Sequence, residues 1–322
     1  MGRVAIVYNP TAGQGRAGER LPQVEALLTE AGVDYDLMLT EYRGHGLALA
    51  ARAAGNSSYR AVVAAGGDGT ANEVINGLMA VRNTNRAIPA LGVLCVGRGN
   101  DFAYGVGIPT ALEEGVAAIR NGATEPIDLG FLKGGLFPEG RYFGNGIGIG
   151  FDTIVGFEAA KLKWIHGFLG YVVGAIKTLV LYYKAPDMTI TTDLGTEERR
   201  CIQVSVMNGR RMGGAFYMAP EASPDDGYFD LCIAGTPKRR QMLGLITRYM
   251  AGSQASSPHI HTERSRIFTV RSDGSPLSIH ADGETVSTEH TSLEVECIPR
   301  PILVIRPVPA TADVQATQIA PA

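Results

Sequence analysis

The sequence predicts an α/β plus β architecture. A doubly wound, Rossmann-like N-terminal domain is followed by a C-terminal antiparallel β-sandwich domain. Three observations predict this. Up to about residue 125, short β-rich runs alternate with helical patterns, the signature of a parallel sheet covered by helices. Beyond residue 127 the alternation gives way to strand-like runs separated by turns. Glycine-rich polar stretches fall at the C-terminal ends of the first four strands, where open α/β sheets bind their ligands.

In the first domain, 1–126, strands are expected at 3–8, 35–40, 61–65 and 91–96, and helices at 18–31, 45–54, 70–80 and 111–121. Residues 61–65, AVVAA, have no polar face and read as a strand buried on both sides. In the second domain, 127–306, strands are expected at 142–149, 187–192, 201–206, 228–233, 267–270, 277–281, 292–296 and 302–306. A helical insert, about 153–183, and a shorter helix near 240–250 interrupt them. Residues 307–322 are rich in Pro, Ala and Thr without a period and read as a disordered tail.

Composition narrows the function classes. A chain of 322 residues with 45% hydrophobic and 19% charged residues is not a disordered one. A net charge of -3 argues against a nucleic-acid partner. Cys95, Cys201, Cys232 and Cys297 lie in apolar stretches with no C-x-x-C pair, so they read as reduced core residues. The N-terminus lacks a signal-peptide pattern, and the expected location is cytoplasmic. Residues 164–183 approach the length of a bilayer span. His166, Lys177 and recurring glycines interrupt them, which favours a core or groove helix.

Four motifs carry chemistry. Asn9-Pro10-Thr11-Ala12-Gly13-Gln14-Gly15 joins a strand to a helix, and its small residues let backbone N–H groups approach phosphate. In Gly66-Gly67-Asp68-Gly69-Thr70-Ala71-Asn72, three glycines surround one carboxylate ahead of a helix that Thr70 can cap. A plain turn needs only one glycine and a cap. An acid inside a phosphate cradle implies a divalent cation between the two, hence nucleotide and Mg2+. Gly97-Arg98-Gly99-Asn100-Asp101 repeats the design with a second carboxylate on the same sheet edge. His280-Ala281-Asp282-Gly283-Glu284 is a hairpin turn by itself and gains weight from the other three.

Together these motifs resemble the diacylglycerol kinase catalytic-domain family, especially its soluble bacterial members, over about residues 3–306. NPTAG, Thr40 with Gly44-His45, GGDGT, GxGNDFA, Asp226-Gly227 and Asp282-Gly283-Glu284 occur in the family's order. The resemblance implies an ATP- and Mg2+-dependent kinase, with its active site in the interdomain cleft, that moves the γ-phosphate to a lipid hydroxyl, diacylglycerol or a related lipid. It implies ATP contacts at Asn9, Thr11, Thr40, Gly66, Gly67, Asp68, Gly69, Thr70, Asn72 and position 98. Asp68 and Asp101 would organise catalytic Mg2+, and Glu284 would be the general base. Ser223, Asp226 and Tyr228 would hold a structural Mg2+, the Asp through its carboxylate and the other two through backbone carbonyls; a simple Asp-Gly turn explains that loop equally well. The family usually has Thr or Ser where Arg98 stands, so the nucleotide contact there differs.

The alternatives are a soluble-substrate kinase of the NAD kinase type and a non-catalytic nucleotide-binding regulator. A lipid kinase must meet a membrane surface, and the basic run Pro237-Lys238-Arg239-Arg240 is a candidate contact, with Arg210-Arg211 a weaker one. Peripheral attachment at the inner membrane face is the corresponding expectation, and a homodimer is left open.

Overall fold

The computed structural model describes residues 2–161, 173–174, 177–178 and 184–308. Strands β1 (Arg3–Tyr8), β2 (Tyr35–Leu39), β3 (Tyr59–Gly66) and β4 (Ala90–Cys95) pair in parallel in the order β2-β1-β3-β4. Alternate residues serve opposite faces. Val4, Ile6 and Tyr8 pack with Val24 and Leu28 of α1 (Arg16–Glu30) and with Val116 and Ile119 of α5 (Leu112–Asn121). Ala5, Val7, Val62 and Ala64 pack with Leu49 of α2 (His45–Ala54) and with Ile75 and Leu78 of α3 (Asp68–Arg82). Burial on both faces explains the unbroken apolar runs of these strands. The strand order reverses between β1 and β3, so a crevice opens beyond their C-terminal ends.

The same sheet continues into the second domain through β16 (Ser292–Arg306), β13 (Ile267–Ser272), β8 (Asp187–Thr192) and β9 (Gly195–Arg200). β5 (Ala123–Gly134) pairs along β16 and with β6 (Phe137–Phe143). The boundary expected at 126/127 lies inside β5, where Ile127 faces Ile302. A second, antiparallel sheet has the order β12 (Ile260–Ser265), β11 (Phe229–Ala234), β10 (Gln203–Met207), β7 (Gly146–Gly150), β14 (Ile279–Ala281) and β15 (Glu284–Ser287). Phe143, Phe229, Phe268, Ile149, Val204 and Val270 fill the space between the sheets and make the expected sandwich.

The structure departs from the expected elements in a few places. The strand expected at 142–149 breaks at Gly144-Asn145, because their N–H groups turn to the Asp282 carboxylate instead of a neighbouring strand. The two strands expected at 292–296 and 302–306 are one, with a register shift between Ile298 and Ile302 and Arg300 at φ 51. Helix α3 starts at Asp68 with Gly67 as its N-cap, so Thr70 does not cap it. Helix α6 (Phe151–Lys161) opens the insert. The rest of the insert, apart from helical residues 173–174 and 177–178, lies outside the described residues, as does the tail from 309. Among the described residues no helix is long and apolar enough to cross a membrane. The four cysteines are free and buried.

Candidate active site

A cleft of about 1010 Å³ runs between the two domains. Asn9, Thr11, Thr40, Gly67, Asp68, Gly69, Thr70, Arg98, Asp101 and Glu284 all line it. Residues expected from four separate loops and a distant hairpin are therefore brought to one space. The loop after β1 is tied to the start of α3: Asn9 Nδ2 donates to Thr70 Oγ1 at 3.1 Å, and Asn9 Oδ1 accepts from Thr11 N–H at 3.0 Å. The loops after β3 and β4 cross in backbone contact. A Cβ on Gly97 would lie 2.4 Å from Gly67 Cα, and one on Gly66 would lie 2.2 Å from Thr70 Oγ1, so only glycine fits either place. Gly66 and Asn72 stand behind the cleft wall and do not face its space.

Asp68 and Asp101 are neighbours across the loop that precedes α4 (Asp101–Gly105). Asp68 Oδ1 accepts from Phe102 N–H at 2.9 Å. Asp101 accepts from Arg211 Nε at 2.9 Å and from Gly214 N–H at 3.0 Å. A Cβ on Gly99 would lie 3.0 Å from Asp68 Oδ2 and 3.7 Å from Asp101 Oδ2, so the two carboxylates converge there. Enclosure, and then the charge of Asp101, push Asp68 up from the usual carboxylate range. Enclosure also raises Asp101, against the pull of Gly214 N–H and Arg211. Converging acids favour a cation between them, and oxygen donors suit Mg2+. Arg211 already neutralises Asp101, which leaves Asp68 as the carboxylate best placed to hold one.

Glu284 opens β15 after a turn in which Asp282 and Gly283 both have positive φ, 47 and 79, the hairpin conformation that Asp-Gly favours. Its carboxylate takes Arg141 Nη2 at 3.2 Å and Arg43 Nε at 3.8 Å. Enclosure raises its pKa, while the two arginines lower it. Arg141 is itself held by Asn72 Oδ1 at 2.8 and 3.0 Å. The Asp of the same motif is structural. Buried Asp282 accepts from the N–H groups of Gly144, Asn145 and Gly146 at 2.7, 2.9 and 3.1 Å, and from Asn72 Nδ2 at 3.0 Å. Asn72, expected at the nucleotide, is thus a clamp between α3 and the second domain. Glu73 accepts from Gly44 and Gly46 N–H at 2.7 and 2.8 Å and fixes the loop beyond Thr40.

The inner part of the cleft is apolar, lined by Phe151, Val155, Met212, Phe216, Met218, Met242, Ile246 and Tyr249. Asp152, Gln203 and His280 are its polar members. Helix α7 (Arg239–Ala251) supplies Met242, Ile246 and Tyr249.

Ser223, Asp226 and Tyr228 lie outside the cleft. Ser223 Oγ donates to Asp225 at 2.7 Å, while Asp226 accepts from Tyr228 N–H at 3.1 Å and pairs with Arg264. Arg264 and Arg266 flank the Tyr228 ring at 4.9 and 4.8 Å. The one carboxylate expected to bind a metal is neutralised by a guanidinium. Chelation with EDTA separates the two arrangements: an unchanged Tm goes with the Arg264–Asp226 pair alone, and a fall reversed by Mg2+ with a structural cation.

Sequence reasoning missed Arg141 and gave Asp152 and His280 no role, although His280 begins the hairpin motif. It also took Arg211 as a weak membrane contact. The structure turns Arg211 inward onto Asp101, with its guanidinium 3.8 Å from the centre of the Tyr104 ring.

Residues 3–132 match the family model described as diacylglycerol kinase catalytic domain, and residues 145–306 match the YegS C-terminal NAD kinase beta sandwich-like domain. A Staphylococcus saprophyticus protein named diacylglycerol kinase is 31% identical over 283 residues, covering 88% of this chain and 88% of that protein. A Bacillus subtilis protein of the same name is 31% identical over 287 residues, covering 88% of this chain and 90% of that one. Among solved structures, a diacylglycerol kinase from Bacillus anthracis str. Sterne superposes with a TM-score of 0.70 at 20% identity, covering 95% of this chain and 97% of that one. An NAD kinase from Archaeoglobus fulgidus shares the fold at a TM-score of 0.51 and 15% identity, covering 94% of this chain and 93% of that one. With both halves matched by these models and relatives aligned along most of its length, the chain belongs to the diacylglycerol kinase catalytic-domain family.

Proposed function

We propose that this chain is an ATP- and Mg2+-dependent lipid kinase whose acceptor is the hydroxyl of diacylglycerol or a close relative, giving a phosphatidic-acid-type product. One observation carries the reading: the cleft that gathers the glycine loops, Asp68 and Asp101 also contains an apolar chamber and Glu284. A soluble acceptor of the NAD kinase kind has no use for such a chamber. The curated relatives named diacylglycerol kinase point to the same acceptor.

The roles follow from the residues. The loops at 11–14 and 67–69 line the cleft, the second at the N-terminus of α3, a place that suits phosphate oxygens, and Arg98 and Arg43 add fixed positive charge at the rim. Mg2+, held by Asp68, would neutralise phosphate charge. Glu284 takes the proton of the acceptor hydroxyl as that oxygen bonds to the γ-phosphorus and the bond to the departing ADP breaks. Arg141 steers the Glu284 carboxylate. At the membrane, Lys238, Arg239 and Arg240 open α7, whose Met242 and Ile246 line the cleft and whose Leu243 is 52% exposed. That helix suits peripheral contact with an anionic cytoplasmic leaflet.

Transfer of labelled phosphate from ATP to a panel of lipids in mixed micelles tests the reading. One lipid is expected to be labelled, with the label lost in Asp68→Asn. Label in no lipid, with ATP bound, would count for the non-catalytic reading.

The pH profile gives a second test. A base must be ionised, so kcat/KM should fall on the acid side through a pKa raised by enclosure above the ordinary Glu value of 4.5. Arg141 holds that value down, so Arg141→Gln should move the acid limb to higher pH as well as slow the reaction. A limb that stays in place would remove Arg141 from the reaction.

A further inference from the structure

The inner cleft contains polar groups that the transfer step does not use. On β7, Gly148 pairs with His280 of β14 on one side and with Ser205 of β10 on the other, so three registered positions form a row on one face of the sheet. Gly148 lacks a side chain, and Asp152 of α6 occupies the space above it. A Cβ there would lie 2.4 Å from Asp152 Oδ2 and 2.5 Å from His280 Nε2. Glycine thus makes the gap in which an acid and an imidazole meet.

Their hydrogen bonding is incomplete. Asp152 accepts from Thr153 N–H at 2.7 Å and from Ser205 Oγ at 3.3 Å. Its described partners carry no positive charge. The Nδ1 atom of His280 is buried and has no hydrogen-bond partner among the described residues. Buried polar atoms are nearly always satisfied, so an orphan lining a ligand-sized cavity points to a ligand. The surroundings, including Phe151, Val155 and Met212, are apolar and suit acyl chains. His280 precedes Glu284 on the same hairpin, which ties the row to the reacting end.

We infer that His280 and Asp152, the latter held by Ser205, form an acceptor-reading subsite, which selects an uncharged lipid carrying a hydrogen-bonding group, such as an ester carbonyl, beside the hydroxyl that is phosphorylated. The identification of that hydroxyl rests on the kinase reading above. Charge follows the same direction. Enclosure drives His280 down to about 4 and Asp152 up to about 7, so the imidazole is neutral at pH 7 and the acid keeps its proton in part. Such a patch offers O–H and N–H donors to a carbonyl. An ammonium headgroup would instead need a fully ionised Asp152 in an apolar chamber.

Direct binding tests this apart from catalysis. Calorimetry would compare a short-chain diacylglycerol, a plain alcohol of matched apolar area and a long-chain amino alcohol on the full chain. The diacylglycerol is expected to bind about tenfold or more tighter than either, since a site built for hydrogen bonds rejects analogues that lack them. His280→Leu and Asp152→Leu should cut that preference to about threefold or less, while His280→Gln and Asp152→Asn, which can still donate, retain most of it. Should a leucine variant fail to fold, Ser205→Ala carries the comparison. Equal binding of the plain alcohol, or a preference that survives in folded leucine variants, would overturn the subsite. Tightest binding of the amino alcohol, lost in Asp152→Asn, would make Asp152 a counter-ion and overturn it too. Preference without phosphate transfer to any lipid would sink the kinase reading and leave the subsite standing.

Discussion

Glu284→Gln is expected to lower kcat for lipid phosphorylation by roughly 10²–10⁴, the usual contribution of a positioned general base. Glutamine keeps the size of the side chain but cannot take a proton from the attacking hydroxyl. Its amide oxygen can still accept from Arg141, which lies 3.2 Å from the native carboxylate. The backbone turn that presents the residue is set by Asp282 and Gly283 and is not touched. ATP affinity and Tm should therefore stay near those of the parent. Single-turnover transfer, measured beside nucleotide binding, separates the outcomes. A kcat within about tenfold of the parent would remove Glu284 as the base and direct attention to Asp68.

Asp282→Ala should have the largest effect on stability. The substitution strands three backbone N–H groups and the Asn72 amide inside the protein, all of which the carboxylate now satisfies. Each stranded donor costs about 1–3 kcal/mol. Their sum approaches the whole margin of a typical domain, about 5–15 kcal/mol. The expected result is a fall in Tm of roughly 10 °C or more, or no folded protein. Asp282→Asn keeps one acceptor oxygen and should lose about half as much. Denaturant titration of both variants would show it. An alanine variant within about 1 kcal/mol of the parent would mean that the donors find other partners.

The parallel half of the fold was legible because its strands are buried on both faces and its helices carry clear periodicity. Edge strands were not. β9, GTEERR, and β12, IHTERS, are charged and exposed, as edges that must avoid pairing with other chains are. β5 was hidden because the domain boundary was placed at 126/127, inside a strand whose start is polar and carries Pro126. At the site, the loops announced themselves because phosphate-type cradles need glycine and carboxylate in a fixed local order. The role of Asn72 was misplaced for the opposite reason. Its partners, Asp282 and Arg141, come from far along the chain, and only the folded sheet brings them to α3. The pairing of Arg211 with Asp101 was hidden on the same ground.

The long strand β16 has a consequence for how the chain is made. Val304 pairs with Leu91 of β4, and Ile305 packs among Ile6, Val63 and Ile119 in the core beneath α1 and α5. The first domain therefore leaves the ribosome with an open sheet edge and a gap in its core, and waits through most of synthesis for the strand that fills both. Such late, non-local closure slows folding and exposes a sticky edge in the meantime. A nascent chain cut anywhere before β16 should bind chaperones rather than ATP.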